Sequence, residues 1–255
     1  MNEEVMASLL PAALQNEPSF HSKTMLWMSS LPVRSKSLLG SIWRSFPQSV
    51  RMTVYRLLLW MGRRLYWNAR YPEVQRLPFG LYCKFGWRAS KDEALATMFV
   101  AENTTIPVPR ILDVIGPDDN LFILMTRVGG HQVLNSLSEM VHDSLALFEA
   151  DLRDCLYQLR SLVPLLDAVS SFTDLESMQW RIDTSDPIGP FVNKDDLHEH
   201  ILSCAMDRAS VEPVALQKSY SKPHRICFTH GDLTPYNVLV SNGRLSGLVD
   251  WGSSG

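Results

Sequence analysis

The apolar rhythm of the chain changes several times, and each change predicts a different element. Residues 51–72 read RMTVYRLLLWMGRRLYWNARYP, in which Val54, Leu57, Leu58, Met61 and Leu65 recur at helical spacing with Arg51, Arg63, Arg64 and Arg70 beside or beyond them. This predicts a basic amphipathic helix. Residues 1 to about 50 have weak periodicity and predict loops and short helices. After Pro72, VQRLPFGLYCKFG is rich in β-formers and broken by Pro78, Gly80 and Gly86, which predicts two short strands around a turn. SKDEALATMFVAENT predicts a helix with Ser90 as N-cap and Glu93 at capping-box spacing. Pro107 and Pro109 end it; RILDVI and the nearly all-apolar LFILMTRV then predict two strands across a turn at GPDDN.

Beyond Gly129 the helical period dominates. VHDSLALFEADLRDCLYQLRSLV places Leu145, Phe148, Leu152, Leu156 and Leu159 on one side, and DDLHEHILSCAM predicts a further amphipathic helix. Residues 165–195 read as loop, and the chain returns to β character in VLV and LSGLV around a turn at Ser241, Asn242 and Gly243. The expectation is an α+β fold with a small β-rich first lobe and a mainly helical second lobe, joined near residues 127–130. In domain terms this gives an N-terminal extension over 1–70, a first lobe over 71–128 and a second over 129–255.

Composition narrows the class. The 255 residues are 45% hydrophobic and 20% charged, values of an ordinary globular protein rather than a disordered one. A net charge of -3 argues against a dedicated nucleic-acid binder. Cys83, Cys155, Cys204 and Cys227 are scattered singly, without metal-ligand spacing, as expected of reduced thiols in a cytoplasmic protein. The opening twenty residues begin acidic and have no long apolar core, which speaks against a secretory signal. The first seventy residues are rich in Arg and Lys and poor in acids. The basic helix within 51–70 could therefore contact an anionic membrane surface, but docking its stripe on the protein is the commoner fate.

The chemistry gathers at the end, in FTHGDLTPYNVLVSNGRLSGLVDWGSSG. His230, Gly231 and Asp232 precede the hairpin, Asn237 comes five residues after Asp232, and the hairpin returns Asp250 toward Asn237. Asn and Asp oxygens suit Mg²⁺, which takes one or two carboxylates plus substrate phosphates. An aspartate not spent on metal could accept a hydroxyl proton, which completes the requirements of phosphoryl transfer.

HGDLTPYN followed by LVDWG resembles the catalytic loop and metal-binding aspartate of the aminoglycoside phosphotransferase/choline kinase family, whose protein-kinase counterparts are the HRD…N loop and the DFG triplet. RLPFGLYCKFG, ENTTIPVPRILD, YQLRSL and DPIGPF are similar to fungal members, so the resemblance covers roughly residues 70 to 255. It implies a two-lobed protein-kinase-like fold and an ATP-dependent phosphotransferase acting on a small-molecule hydroxyl. By matched position it implies Asp232 as catalytic base and Asn237 and Asp250 as Mg²⁺ holders. His230 braces the catalytic loop. It further implies Lys84 as the phosphate-pairing lysine and residues 125–128, with Met125 and Val128, as the segment meeting adenine. Glu93 has two readings, an ion pair with Lys84 or closure of the capping box with Ser90. Two departures stand out. No glycine-rich loop precedes Lys84, and the chain ends five residues after Asp250, where family members continue with helices that build the acceptor pocket. A C-terminally truncated member with exposed apolar surface and a protein partner over its incomplete second lobe is therefore expected. The alternative is a non-catalytic pseudokinase or nucleotide-binding interaction module.

Overall fold

A computed structural model of the chain describes residues 38–66, 73–117, 120–162, 169–172, 188–204 and 225–255. Most of the predicted loop over 165–195, residues 1–37 and the end of the basic segment at 67–70 lie outside the described residues.

Two helices come first, α1 (Leu38–Ser45) and α2 (Gln48–Leu65). They are followed by β1 (Val74–Leu77), β2 (Leu81–Phe85), α3 (Lys91–Asn103), β3 (Ile111–Ile115) and β4 (Phe122–Thr126). The strands form one antiparallel sheet in the order β1-β2-β4-β3. Both of its faces are covered. Leu77, Cys83, Phe122, Leu124 and Ile115 pack against Tyr55, Met52, Leu58 and Leu59 of α2, while Ile123, Ile111, Val114 and Met125 pack against Ala94 and Met98 of α3. Consecutive residues Cys83 and Lys84 are therefore both buried, one on each side of the sheet.

The second half contributes β5 (His131–Gln132), α4 (His142–Ser161), α5 (Lys194–Cys204), β6 (Val238–Ser241) and β7 (Arg244–Leu248). Strands β5-β6-β7 make a three-stranded sheet. Asn242 and Gly243, at φ 52° and 72°, form the two-residue turn between β6 and β7, a turn whose twist matches that of the flanking strands. The predicted hairpin is thus present, with Ser241 in a strand rather than in the turn. Strand β5 was not foreseen, because two residues carry no period. On α4 the buried side chains are Phe148, Cys155 and Leu159; Leu145 and Leu152 pack alongside, and Cys155 takes the core position expected of Leu156.

Helix α3 is buried almost all round, as a helix between two layers must be. Ala94 faces the first sheet, whereas Ala96, Phe99 and Val100 join Phe148, Leu159, Phe228, Leu248 and Trp251 in the core of the second half. One helix thereby ties both sheets together, in the α+β arrangement expected.

Helix α2 departs from the reading of its apolar stripe. The docked face holds Tyr55 and Gly62, both buried. Leu57 and Leu65, assigned to the docking stripe, are 56% and 61% exposed. Close approach and polar anchoring join the packing of Met52, Leu58 and Leu59 in fixing the face. A Cβ at Gly62 would run into the carbonyl oxygen of Arg76 on β1. Tyr55 Oη donates to Asp113 Oδ2 at 2.6 Å, and Arg51 pairs with the same carboxylate. Trp43 Nε1 donates in turn to Tyr55 Oη at 2.6 Å. Asp113 is buried, and a buried carboxylate needs this pairing.

Candidate active site

Lys84 leaves β2 on the cleft side, where its Nζ meets two carboxylates. Glu93 Oε2 forms an ion pair with it at 2.7 Å, and Asp250 Oδ1 accepts its hydrogen bond, also at 2.7 Å. Both readings of Glu93 hold in part. Its backbone N–H is capped by Ser90 Oγ at 3.1 Å, which leaves the carboxylate to pair with Lys84.

One ammonium lies between two carboxylates in a largely buried place, and the Arg88 guanidinium acts on both carboxylates as well. Burial pushes the Glu93 carboxyl up to about 7, with the Lys84 ammonium only partly offsetting it. Burial alone would lower the Lys84 pKa, yet the Glu93 and Asp250 carboxylates outweigh it and hold the ammonium above its ordinary value. Burial also works to raise Asp250, but Lys84 more than compensates and keeps this carboxyl below the usual range. Asp250 sits at φ 67°, in the left-handed region that costs most L residues energy and that Asp tolerates better than most. Its side chain is 39% exposed.

The loop before β6 supplies the other two oxygen-bearing side chains. Asn237 Nδ2 donates to the Asp232 backbone oxygen at 2.8 Å and to Asp232 Oδ2 at 2.9 Å, so the amide holds the carboxylate. The amide nitrogen is spent on Asp232, while the Asn237 backbone oxygen accepts from Val249 N–H at 3.0 Å. This last bond sets the spacing between Asn237 and the neighbouring Asp250.

His230 is buried behind the loop and does not line the cleft. Its Nε2 lies 3.1 Å from the Val249 carbonyl, an acceptor, so Nε2 carries a proton. The ring lies 4.4 Å from that of Trp251, centroid to centroid. Burial lowers its pKa, consistent with a neutral brace rather than a base. Gly231 takes φ 74°, and a Cβ there would collide with the Ser253 carbonyl oxygen. The HGD loop and the residues after Asp250 are thus packed backbone to backbone, and Thr229 and Gly255 exchange N–H···O bonds.

A cavity of about 730 Å³ lies between the two sheets, within the range of small-molecule sites. Lys84, Glu93, Met125, Val128, Asp232, Asn237 and Asp250 all line it. Arg76, Arg88, Arg127, His131 and Tyr236 line it as well, and the sequence reading missed them. They stand singly in different elements, Arg76 within β1, Arg88 in a 3-10 turn, His131 at the start of β5 and Arg127 and Tyr236 in loops, so no spacing marks them. Among the described residues no group of three His, Cys, Asp or Glu side chains is placed to hold a metal by itself. The donor set instead fits a cation that completes its shell with phosphate oxygens. It offers one part-exposed carboxylate and one amide oxygen, and the arginines of the lining can meet phosphate oxygens in turn.

The chain is similar to known proteins of one family. Residues 83–255 match the model of the phosphotransferase enzyme family. An aminoglycoside 3'-phosphotransferase of Enterococcus faecalis is 26% identical over 164 residues, covering 59% of this chain and 54% of that protein. A Staphylococcus aureus protein of the same name is 24% identical over the same shares. The chain thus spans about half the length of the curated relatives it matches. The solved gentamicin complex of APH(2")-IIa is 16% identical, with a TM-score of 0.49 over 79% of this chain and 70% of that chain. With more than half of its length matched by the family model, the chain belongs to the phosphotransferase enzyme family.

Proposed function

We propose that this protein is an ATP-dependent phosphotransferase that phosphorylates a hydroxyl group of a small molecule. The observation that carries the reading is the contact of Lys84 with Asp250 across the cleft, beside the Asp232–Asn237 pair and over a cavity of nucleotide size. Family membership and the two aminoglycoside 3'-phosphotransferase relatives support it.

In this reading Asp232 accepts the proton of the acceptor hydroxyl as that oxygen bonds to the terminal phosphorus and the nucleoside diphosphate leaves. Asn237 keeps the carboxylate aimed through its 2.9 Å bond to Oδ2. Lys84, held by Glu93, carries positive charge to the phosphates. Asn237, through its side-chain oxygen, and Asp250 would hold Mg²⁺, which supplies charge neutralisation at the phosphate oxygens when bound. Met125 and Val128, beside the cavity, border the base. His230 acts only by bracing the backbone at Val249, one residue before Asp250. The acceptor belongs to the class of small polar alcohols, with the amino sugars of the relatives as its first candidates.

The test compares two variants. Asp232→Asn preserves an acceptor for the Asn237 amide but removes the base, so transfer should fall by roughly 10²–10⁴-fold with Mg·ATP binding retained. Asp250→Ala should weaken Mg²⁺-dependent nucleotide binding itself. Wild-type turnover in Asp232→Asn would remove the base assignment. Nucleotide binding by the wild type without consumption, over a panel of amino sugars and amino alcohols, would favour the non-catalytic alternative.

A further inference from the structure

Helix α2 docks Met52, Tyr55, Leu58 and Leu59 on the first sheet and still leaves a second set of apolar side chains facing outward. The docked side is defined by Tyr55, Gly62 and the Arg51–Asp113 pair, and outward of it Leu57 and Trp60 are each 56% exposed, with Val50 and Leu65 exposed as well. Helix α1 adds exposed Ile42, and Phe46 directly after it is exposed too. Scattered exposed apolar residues need no explanation, but a helix with a row of them does.

Charge says what would cover this row. Residues 38–66 carry Arg44, Arg51, Arg56, Arg63 and Arg64 and no acidic residue. Asp113, the carboxylate that α2 meets, lies on the docked side and is occupied by Arg51 and Tyr55. Arg56, Arg63 and Arg64 are exposed, and the Arg64 guanidinium lies over the Trp60 ring at 5.1 Å. A tryptophan and leucines flanked by arginines suit the boundary between lipid headgroups and acyl chains. No described helix is long and apolar enough to cross a membrane. A second copy of the chain is a poor occupant, because a two-fold interface would set these arginines against their own copies.

We propose that the outer face of α1 and α2 docks on an anionic lipid surface, with Leu57 and Trp60 inserted at the headgroup level and Arg56 and Arg64 paired with lipid phosphates. The docked helix is tied to the cleft. It packs on β1, which gives Val74 and Arg76 to the cavity wall, and Tyr66, directly after α2, lines the cavity too. Lipid docking would therefore hold the roof of the active site against the membrane without any transmembrane segment.

The test is co-sedimentation of the full chain with vesicles of phosphatidylcholine alone or mixed with phosphatidylserine. The expected result is binding to the mixed vesicles only, weakened by added salt. The double variant Arg56→Gln/Arg64→Gln should lower the partition coefficient roughly thirtyfold, at about fivefold per arginine lost from the surface. Leu57→Gln/Trp60→Gln should abolish binding. Both pairs are exposed, and an unchanged melting temperature will show that the variants are folded. Three results would overturn the proposal. The first is no binding to phosphatidylserine vesicles, as expected if residues 1–37 cover the face. The second is binding that all four substitutions leave intact. The third is concentration-dependent self-association that Leu57→Gln/Trp60→Gln removes, which would make a second copy the occupant.

Discussion

Lys84 faces two carboxylates, and this three-way contact organises the site at the scale of single residues. Neither Glu93 nor Asp250 is adjacent to it in sequence, and the pairing across 166 positions exists only because β2 and the segment after β7 meet at the cleft. Asp232, Asn237 and Asp250 were legible beforehand because they share one short stretch in which a hairpin fixes their separation. The second role of Glu93 was legible only as an alternative, since spacing cannot say where a carboxylate turns once its own N–H is capped. His230 yields a prediction of its own. Burial depresses its pKa below the ordinary 6.5, so the unfolded chain takes up a proton near that pH that the folded chain does not. Its contribution to stability is present above pH 6.5 and is lost as pH falls toward the folded value. Glu93 works in the opposite sense, because a carboxyl raised to about 7 makes the folded state lose stability as pH rises from 4.5 to 7. Comparing wild type with His230→Gln isolates the histidine. The stability of the wild type relative to the variant should decline from pH 7 to pH 5 in urea titrations, and a constant difference would show that His230 titrates alike in both states.

At the scale of elements, the periods of β1, β2, α3, β3, β4, α4 and the β6–β7 hairpin predicted elements that are present. Their residue types and bounding turn, proline and cap signals lie within each segment, so the local pattern carries the information. Helix α2 shows where pattern fails. Five apolar residues at helical spacing marked one side, but of these Leu58 joins the docked cluster with Met52, Tyr55 and Leu59 while Leu57 and Leu65 face outward, and Gly62 and the Arg51–Asp113 pair complete the docked face. Hydrophobicity counts transfer from water, whereas docking of α2 depends on how near its backbone can come to β1. Gly62→Ala tests this directly. The added methyl meets the Arg76 carbonyl, a backbone atom that cannot rotate aside, and should destabilise the protein by about 1–3 kcal/mol. Chemical denaturation would measure it, and a neutral result would mean that α2 can shift outward without cost.

For the whole molecule, the cleft is built from both halves of the chain, with Lys84 and Glu93 on one side and Asp232, Asn237 and Asp250 on the other. A ligand bound there bridges the two sheets and stabilises the folded state by mass action. If the proposed nucleotide site is right, Mg·ATP at a hundred times its dissociation constant should add about 2.7 kcal/mol, a rise in Tm of roughly 5–10 °C for a chain of this size. EDTA should remove most of that rise. A Tm that Mg·ATP leaves unmoved at all concentrations would count against a nucleotide site in this cavity. Differential scanning fluorimetry reads both.

What the sequence determined alone was local: the strand and helix periods, the cap at Ser90, a turn within Ser241, Asn242 and Gly243, and the clustering of His230, Asp232, Asn237 and Asp250 near one hairpin. These follow from backbone geometry and from residues a few positions apart. The tertiary structure alone decided which face of α2 is buried, that Lys84 reaches Asp250 as well as Glu93, and that Arg76, Arg88, Arg127 and Tyr236 border the same cavity. Those outcomes depend on how closely two backbones can approach and on how buried charges find partners, and no spacing along the chain encodes either.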